Sequence, residues 1–206
     1  MQLIGMMDSP YVRRVAISLA IYGIPYEHRP LSVFRHFDEF ARINPAVKAP
    51  TLILDDGTML VDSSLILDYL ERQAAPERRL MPDDLAARAK ALHLIGCALA
   101  ACEKTMQRVY EDMLRPAEKR HEPWVERVQA QLRGAYDLLE AAVATHKGAG
   151  WLLGERMMQP DIAVAIAWRF TQYMLPNVVD PARYPALVAF SARAEATQVF
   201  VDTPLE

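Results

Sequence analysis

Cysteine is scarce in this chain: its 206 residues include two, Cys97 and Cys102. They form no C-x-x-C motif and lie in a stretch of helical periodicity, so no disulfide framework is predicted. The five histidines form no H-x-x-x-H or His/Cys cluster, and we therefore expect no metal site. Such cysteine usage is typical of a reducing cytoplasm, which is the predicted location.

Positive charge is not concentrated in any one segment. The formal net charge is −3 and no Lys/Arg block is long enough to form a nucleic-acid patch, so nucleic acid is not an expected partner. The N-terminal segment MQLIGMMDSP lacks both a basic region and a long apolar stretch, so no secretory signal is predicted. No uninterrupted apolar run is long enough to cross a bilayer, and we expect no membrane partner.

The first third of the chain contains alternating strand and helix signals. QLIGMM (2–7) has the length and apolar character of a strand. Ser9 and Pro10 predict a helix start, because serine caps helix N-termini and proline is tolerated at the first helical position. Gly23 predicts the end of that helix. The elements expected next are a strand in 26–33, a short helix in 36–44, a hairpin in 51–61 and a helix in 63–73.

This order of elements is that of a thioredoxin-like domain, in which a helical crossover makes the first two strands parallel. The segment QAAPERRLMPDD (73–84) carries two prolines and several charges, and it predicts a boundary. Beyond it the strand signals stop, and helical periodicity follows in 85–114, 123–146, 160–175 and 185–200. We therefore predict an α/β thioredoxin-like domain at 1–77, a linker at 78–84 and an all-α helical bundle at 85–206.

The hairpin VKAPTLILDDGTMLVDSS (47–64) indicates where a ligand would bind. Two helices begin with hydroxyl residues just after a strand, one at Ser9 and one at Ser63 and Ser64, and helix N-termini attract anions. A thioredoxin-like sheet would bring both helix starts to the same edge. A cis bond between Ala49 and Pro50 would expose backbone groups of Ala49 there. The pattern predicts a site for an extended, peptide-like anion.

The chain resembles the glutathione transferase superfamily over its whole length. The supporting motifs are SPYVRRVAISLAIYGIPYE, NPAVKAPTLILDDG, VDSSLILDYL and LLGERMMQPDIAVAI, in this order and spacing. The resemblance implies a thioredoxin-like N-terminal domain, a helical C-terminal domain and a two-fold homodimer. SPYV stands where glutaredoxin-like relatives carry C-P-Y-C, so dithiol–disulfide exchange through this motif is excluded.

The resemblance also implies a role for each residue of a glutathione site. Ser9 would face the glutathione sulfur as the catalytic residue, because Met6 and Met7 stand where tyrosine-type relatives carry their catalytic tyrosine. The backbone of Ala49, beside a cis Pro50, would contact the cysteinyl part. Asp62 and Ser63 would hold the γ-glutamyl end. Lys48, and more loosely Arg35 or His36, would contact the glycyl carboxylate.

The implied activity is that of a glutathione transferase acting in detoxification. A hydroxyl that donates to sulfur beside a helix N-terminus favours the reactive thiolate. The thiolate would then attack an electrophilic carbon or a peroxide oxygen. Glutathione is the co-substrate, and no metal or redox cofactor is implied. Met106, Tyr110 and Met113 share a helical face and would line the pocket for a hydrophobic electrophile, although such a stripe is also typical of plain core.

Two alternatives remain open. Ser9, Asp62 and Ser63 are all residue types that cap helices without any catalytic role. Some proteins of this fold are binding modules without catalysis, including a bacterial starvation protein that docks on RNA polymerase. Binding to immobilised glutathione would separate the enzyme from such a module.

Overall fold

The computed structural model describes residues 1–146 and 150–205. It divides the chain into two compact units, one formed by Met1–Met81 with Ala196–Glu206 and the other by Pro82–Glu195. The first unit contains a four-stranded sheet, whereas the second is built from helices. The predicted fold class, an α/β thioredoxin-like domain followed by a helical bundle, is therefore confirmed.

The sheet of the first unit has the strand order β2-β1-β3-β4. Its strands are β1 (Gln2–Ile4), β2 (Glu27–Arg29), β3 (Thr51–Ile53) and β4 (Met59–Val61). Strand β1 runs parallel to β2 and antiparallel to β3, and β3 pairs antiparallel with β4. The crossover through a helix makes the first pair parallel, and the tight turn after β3 makes the last pair antiparallel.

Eight α-helices follow one another in the described residues. They are α1 (Pro10–Tyr22), α2 (Phe37–Ile43), α3 (Ser63–Gln73), α4 (Leu85–Leu114), α5 (Glu122–Thr145), α6 (Gln159–Met174), α7 (Pro185–Glu195) and α8 (Gln198–Val201). Helix α1 begins after Ser9, whose side chain accepts a hydrogen bond from the Val12 backbone N–H at 3.4 Å. It ends at Gly23, which has a left-handed φ of 71°. Both ends were predicted from local residue types.

The C-terminal segment differs from its prediction. The sequence pattern predicts one helix in 185–200, but α7 ends at Glu195 and α8 belongs to the first unit. Arg13 of α1 is 1% exposed and donates from Nε to the Thr203 carbonyl oxygen at 2.7 Å. Its guanidinium also lies 5.3 Å from the centre of the Phe200 ring. These contacts explain why the last residues leave the helical domain in which they were predicted.

The second unit is organised around α4 and α6. Helix α4 packs against both α5 and α6, and α6 also packs against α7. A buried hydroxyl cluster joins three of these helices: Thr171 Oγ1 lies 2.6 Å from Thr105 Oγ1 and 2.5 Å from the Tyr136 hydroxyl. The Tyr136 hydroxyl also lies 2.8 Å from the Ala167 carbonyl oxygen. Burial raises the pKa of Tyr136 well above its ordinary value.

Asp161 fixes the start of α6. Its carboxylate accepts hydrogen bonds from the backbone N–H groups of Met158 and Leu152, each at 2.8 Å. Burial raises the pKa of Asp161 to about 6, although both hydrogen bonds and the charge of Arg193 act in the opposite direction. One buried carboxyl group thus holds the first turn of α6 and the preceding loop together.

Helix α4 is also long and apolar enough, by length and composition alone, to cross a membrane. No uninterrupted apolar run in the sequence indicates this, because charged residues divide the helix. The core helix of a soluble bundle meets the same criterion. One face of α4 is buried, including Leu94, Ala98, Ala101 and Val109.

Candidate functional site

The turn between β1 and α1 places the Ser9 hydroxyl at a helix start. Ser9 is half-buried, and its oxygen accepts from the Val12 N–H at 3.4 Å. A hydroxyl that accepts in this way still has its own proton to donate to a second partner. The helix N-terminus adds a partial positive charge at the same point. Ser9 therefore has the chemistry to stabilise an anion while it caps α1.

Gly5 shows how closely this turn approaches the loop before β3. It has a φ of 141°, and a Cβ added to it would lie 2.5 Å from Val12 Cγ2 and 3.0 Å from Ala49 Cβ. Real Cβ atoms essentially never show the first distance, and the second is tighter than nine in ten real Cβ contacts. The backbone just after β1 thus lies close to both α1 and Ala49, which brings the first two parts of the predicted site together.

The loop that carries Ala49 and Pro50 is held by buried polar groups. The bond between these two residues is cis, as the family resemblance implies. Asn44 is 1% exposed and donates from Nδ2 to Thr51 Oγ1 at 2.8 Å. Thr51 Oγ1 in turn donates to the Lys48 carbonyl oxygen at 2.7 Å. Sequence reasoning missed Asn44 and Thr51, since a polar residue at a loop end does not reveal its partner.

The hairpin register brings the third part of the site to the same edge. Thr51 pairs with Val61, so Pro50 and Asp62 lie on neighbouring strand ends. Asp62 has a left-handed φ of 71° and accepts from the Ser64 N–H at 2.9 Å. Its second carboxylate oxygen lies 3.6 Å from Lys48 Nζ. Two residues predicted to contact opposite ends of one ligand therefore pair with each other.

Ser63 and Ser64 open α3 and contact a buried arginine of α1. Arg14 is 4% exposed, and its Nη1 lies 3.4 Å from each of the two serine hydroxyl oxygens. Ser63 is buried and Ser64 is exposed. Sequence reasoning missed Arg14. The available signal was the pair of arginines inside an otherwise apolar helical stretch, a position where charged residues are rarely buried without partners.

Two further predicted residues, Arg35 and His36, lie between β2 and α2 and are exposed. His36 Nδ1 accepts from the Ser32 N–H at 3.0 Å, and the Arg35 N–H donates to Ser32 Oγ at 3.2 Å. Ser32 thus orders this segment locally. A contact of Arg35 or His36 with the glycyl carboxylate stays a prediction.

The predicted pocket for a second substrate lies on α4, in the second unit. Tyr110 is 38% exposed and Met113 is 72% exposed, whereas Met106 is half-buried. Cys102, one turn before Met106, is buried in the core of the bundle. The stripe therefore has one end at the surface and is not entirely plain core. Its role in binding an electrophile stays a prediction.

The described residues, 1–146 and 150–205, contain no group of three or more His, Cys, Asp or Glu side chains that could hold a metal ion. The site edge is instead formed by the start of α1, the loop before β3 and the start of α3. It offers hydroxyl donors, two helix N-termini, one carboxylate and one lysine. These groups match a ligand that carries an ammonium group, carboxylates and a sulfur atom.

Comparison with known proteins agrees with this geometry. Family models described as Glutathione S-transferase, N-terminal domain and C-terminal domain match residues 3–78 and 122–193. A Methylobacterium radiotolerans glutathione S-transferase, solved with glutathione sulfonate, is 29% identical, with a TM-score of 0.88 over 98% of this chain and 93% of the other. A Methylobacillus flagellatus glutathione S-transferase with bound glutathione is 25% identical, with a TM-score of 0.88 over 98% of each chain.

A mouse protein, the maleylacetoacetate isomerase of Mus musculus, is 27% identical to this chain. The similarity covers 94% of this chain and 90% of the mouse protein. Similarity therefore extends over both units of the chain.

Proposed function

Because the chain belongs to the glutathione S-transferase family, we propose that it is a glutathione transferase whose glutathione site is the edge formed by Ser9, Ala49, Pro50, Asp62 and Ser63. The observation that carries the proposal is the convergence of the two helix starts on the loop before β3. The glutathione sulfonate and the glutathione bound in the two similar bacterial structures support it.

The chemistry of glutathione matches the groups at this edge from one end to the other. The Asp62 carboxylate would pair with the ammonium of the γ-glutamyl group, and the Ser63 hydroxyl with its carboxylate. The backbone of Ala49 would pair with the cysteinyl part, which places the sulfur toward Ser9. Lys48 would release Asp62 and bind the glycyl carboxylate. Each charged group of the ligand thus receives a partner of opposite charge or a hydrogen-bond donor.

Ser9 would then favour the thiolate form of the bound tripeptide. A free thiol of this type has a pKa of about 8.5, and a helix N-terminus lowers such values. The thiolate attacks an electrophilic carbon, a C–S bond forms and the leaving group departs with its electron pair. A peroxide oxygen is an alternative acceptor for the same thiolate. Met106, Tyr110 and Met113 are the proposed contacts of the hydrophobic electrophile.

Calorimetric titration with glutathione, together with a conjugation assay using an activated aryl halide, tests this function. We expect binding and turnover by the wild type. Asp62→Ala should weaken binding by about tenfold, because a hydrogen bond to a charged group is lost. Thr145→Ala, which removes a hydroxyl from the exposed surface of α5, is the control and should leave both unchanged. Binding without turnover would favour a non-catalytic binding module instead.

A glutathione-dependent isomerase is the second candidate, and similarity to the mouse maleylacetoacetate isomerase favours it. The same thiolate would add to a cis double bond conjugated with a carbonyl group, forming a C–S bond and an enolate. After rotation about the new single bond, the C–S bond breaks, and the trans product and the thiolate are released. Ultraviolet or NMR detection of cis–trans conversion with catalytic glutathione, but no conjugate, would identify this activity.

We also propose a homodimer, which the family resemblance implies, acting in the cytoplasm, which the cysteine usage indicates. Leu85 and Leu92 on the first half of α4 are 81% and 54% exposed, which leaves apolar surface for a second copy. Sedimentation at micromolar concentration should give twice the chain mass of 23.2 kDa. A species of the single-chain mass would contradict the dimer and leave the glutathione site unaffected.

A further inference from the structure

Arg14 is the buried cation of the site edge, and neither the family resemblance nor the motif analysis assigned it a role. It belongs to α1, and its guanidinium reaches the start of α3, 49 residues further along the chain. Its Nη1 lies 3.4 Å from the hydroxyl oxygens of both Ser63 and Ser64. At 4% exposure the side chain is held in place by the packing of α1 against α3.

The direction of these hydrogen bonds determines what the serines offer to a ligand. A guanidinium has donors and no acceptor, so both serine oxygens must accept from Arg14. The proton of each serine hydroxyl then remains for another acceptor. Without the guanidinium, the Ser63 hydroxyl could rotate and present its lone pairs instead. Arg14 therefore sets Ser63 as a hydrogen-bond donor.

Electrostatics indicates the charge of the group that Ser63 meets. The N-terminus of α3 carries a partial positive charge, and a guanidinium next to it adds to the positive potential. The first turn of α3 contains no acidic side chain, and Asp62 at the N-cap points one carboxylate oxygen at the Ser64 N–H. Such an arrangement favours an anionic group over a neutral one at Ser63.

We propose that Arg14 is a positioning residue that makes the site specific for the α-carboxylate of the γ-glutamyl group. This inference rests on the proposed function, since it names how the glutathione site selects one end of its ligand. Arg14 acts through Ser63: it holds the hydroxyl as a donor and raises the positive potential that the carboxylate meets. It has no part in activating the sulfur, which lies at the Ser9 end.

The chain provides a matched control in the preceding residue. Arg13 is equally buried, at 1% exposed, but it binds the C-terminal segment through Thr203 and Phe200. Arg13→Met and Arg14→Met both remove a buried guanidinium from α1, so they share the general structural cost. Only Arg14→Met removes a partner of Ser63.

The test compares glutathione with an analogue that lacks the α-carboxylate, 4-aminobutanoyl-cysteinylglycine, by calorimetric titration. The wild type should prefer glutathione. Arg14→Met should lose about tenfold or more in glutathione affinity and almost nothing for the analogue, so the preference disappears. Arg13→Met should keep the preference. With saturating glutathione, turnover by Arg14→Met should stay near the wild-type value, while KM for glutathione rises.

Two further variants protect the test against simple misfolding. Arg14→Lys keeps the positive charge and should restore part of the preference. In a Ser63→Ala background, Arg14→Met should cost much less than it does alone, because the two residues act on the same carboxylate. Circular dichroism establishes the folded fraction of each variant first.

The possible outcomes distinguish a failure of the role of Arg14 from a failure of the proposed glutathione site. A wild type that does not bind glutathione overturns both. A wild type that binds glutathione, with an Arg14→Met variant that weakens both ligands equally or keeps the preference, overturns the role of Arg14 and leaves the glutathione site standing. A loss of preference in Arg13→Met of the same size also overturns it.

Discussion

The two units of the molecule use hydroxyl groups in opposite ways. In the second unit, Thr105, Tyr136 and Thr171 are fully buried and bond to one another and to a helix carbonyl. In the first unit, Ser9 and Ser63 accept hydrogen bonds from the protein and keep their protons for another acceptor. A closed hydroxyl cluster stabilises a fold, whereas an open row of donors at helix starts is arranged for a ligand. Substitutions in each unit should therefore change different measurements.

The largest effect is expected at Gly5, beneath the open edge. Gly5→Ala introduces a Cβ that collides with Val12 and crowds Ala49, in a backbone conformation that disfavours side chains. The unfolding free energy should fall by about 2–4 kcal/mol, since strain and overpacking add. Urea denaturation measures it. Glutathione affinity should fall as well, because the collision displaces the loop that carries Ala49.

Gly57→Ala is the matched control for Gly5. Gly57 also has a left-handed φ, 85°, but a Cβ there meets nothing within 4 Å. The control should therefore show the cost of backbone strain without that of collision, and it should leave glutathione affinity unchanged. Equal losses of stability in both variants would mean that the close approach beneath Ala49 has no energetic weight.

Asp161, in the second unit, should make the unfolding free energy depend on pH. Burial raises its folded-state pKa from 3.8 to about 6, so the folded protein binds a proton more tightly than the unfolded chain does. The contribution of this group to the unfolding free energy is full below about pH 4 and decreases as pH rises to about 6, by up to about 3 kcal/mol. Denaturation at several pH values should show this decrease.

Asp161→Asn is the reference for the pH series, because an amide does not titrate. The variant should be less stable overall, since its NH₂ group cannot accept and one of the hydrogen bonds from the Met158 and Leu152 N–H groups is lost. The difference between wild type and variant should narrow as pH rises from about 4 to 6. A difference that stays constant across this range would contradict the raised pKa.

Tyr136→Phe tests the closed cluster directly. It removes one hydroxyl and leaves Thr171 and the Ala167 carbonyl with one partner fewer, which should cost about 1–3 kcal/mol of unfolding free energy. Glutathione affinity should not change. Tyr173→Phe, at a position that is 49% exposed, is the control and should have almost no effect on stability. A clear loss of glutathione affinity in Tyr136→Phe would show that the cluster is not purely structural.

Ser9→Ala should have the smallest effect on stability and a distinct effect on catalysis. The lost N-cap costs about 1 kcal/mol. Turnover should fall by about tenfold while KM for glutathione changes little, because the hydroxyl serves the thiolate and not the anchoring of the tripeptide. The ultraviolet absorbance of the thiolate of bound glutathione, followed against pH, should shift to higher pH in the variant. If the titration curves of the wild type and the variant coincide, Ser9 acts only as a helix cap.

Local residue types were enough to predict most element limits. The observed bounds of α3 and α4, Ser63–Gln73 and Leu85–Leu114, agree with the predicted ones. Helix α1 follows its N-cap serine and its terminal glycine. Such limits depend on residues only a few positions apart, whose preferences act in any chain that contains them.

The site could be predicted only in part. Ser9, Ala49, Pro50, Asp62 and Ser63 stand in recognisable motifs, and the fold brings their elements to one edge. The supporting residues Arg14, Asn44 and Thr51 could not be predicted, because each acts through a partner that sequence periodicity does not identify. Their polar side chains reach their hydrogen-bond partners only when α1, β3 and α3 are packed together.

The sequence by itself therefore determined the kind of elements, their order and the family to which the chain belongs. Tertiary structure alone decided that Arg14 meets Ser63, 49 residues away, and that Arg13 binds Thr203, 190 residues away. Periodicity extended the last helix to residue 200, whereas the structure ends α7 at Glu195 and packs Phe200 against Arg13 of α1, within the first unit. The physical reason is the range of the forces: capping and turn preferences act over a few residues, while burial and hydrogen bonding join any groups that the fold brings into contact.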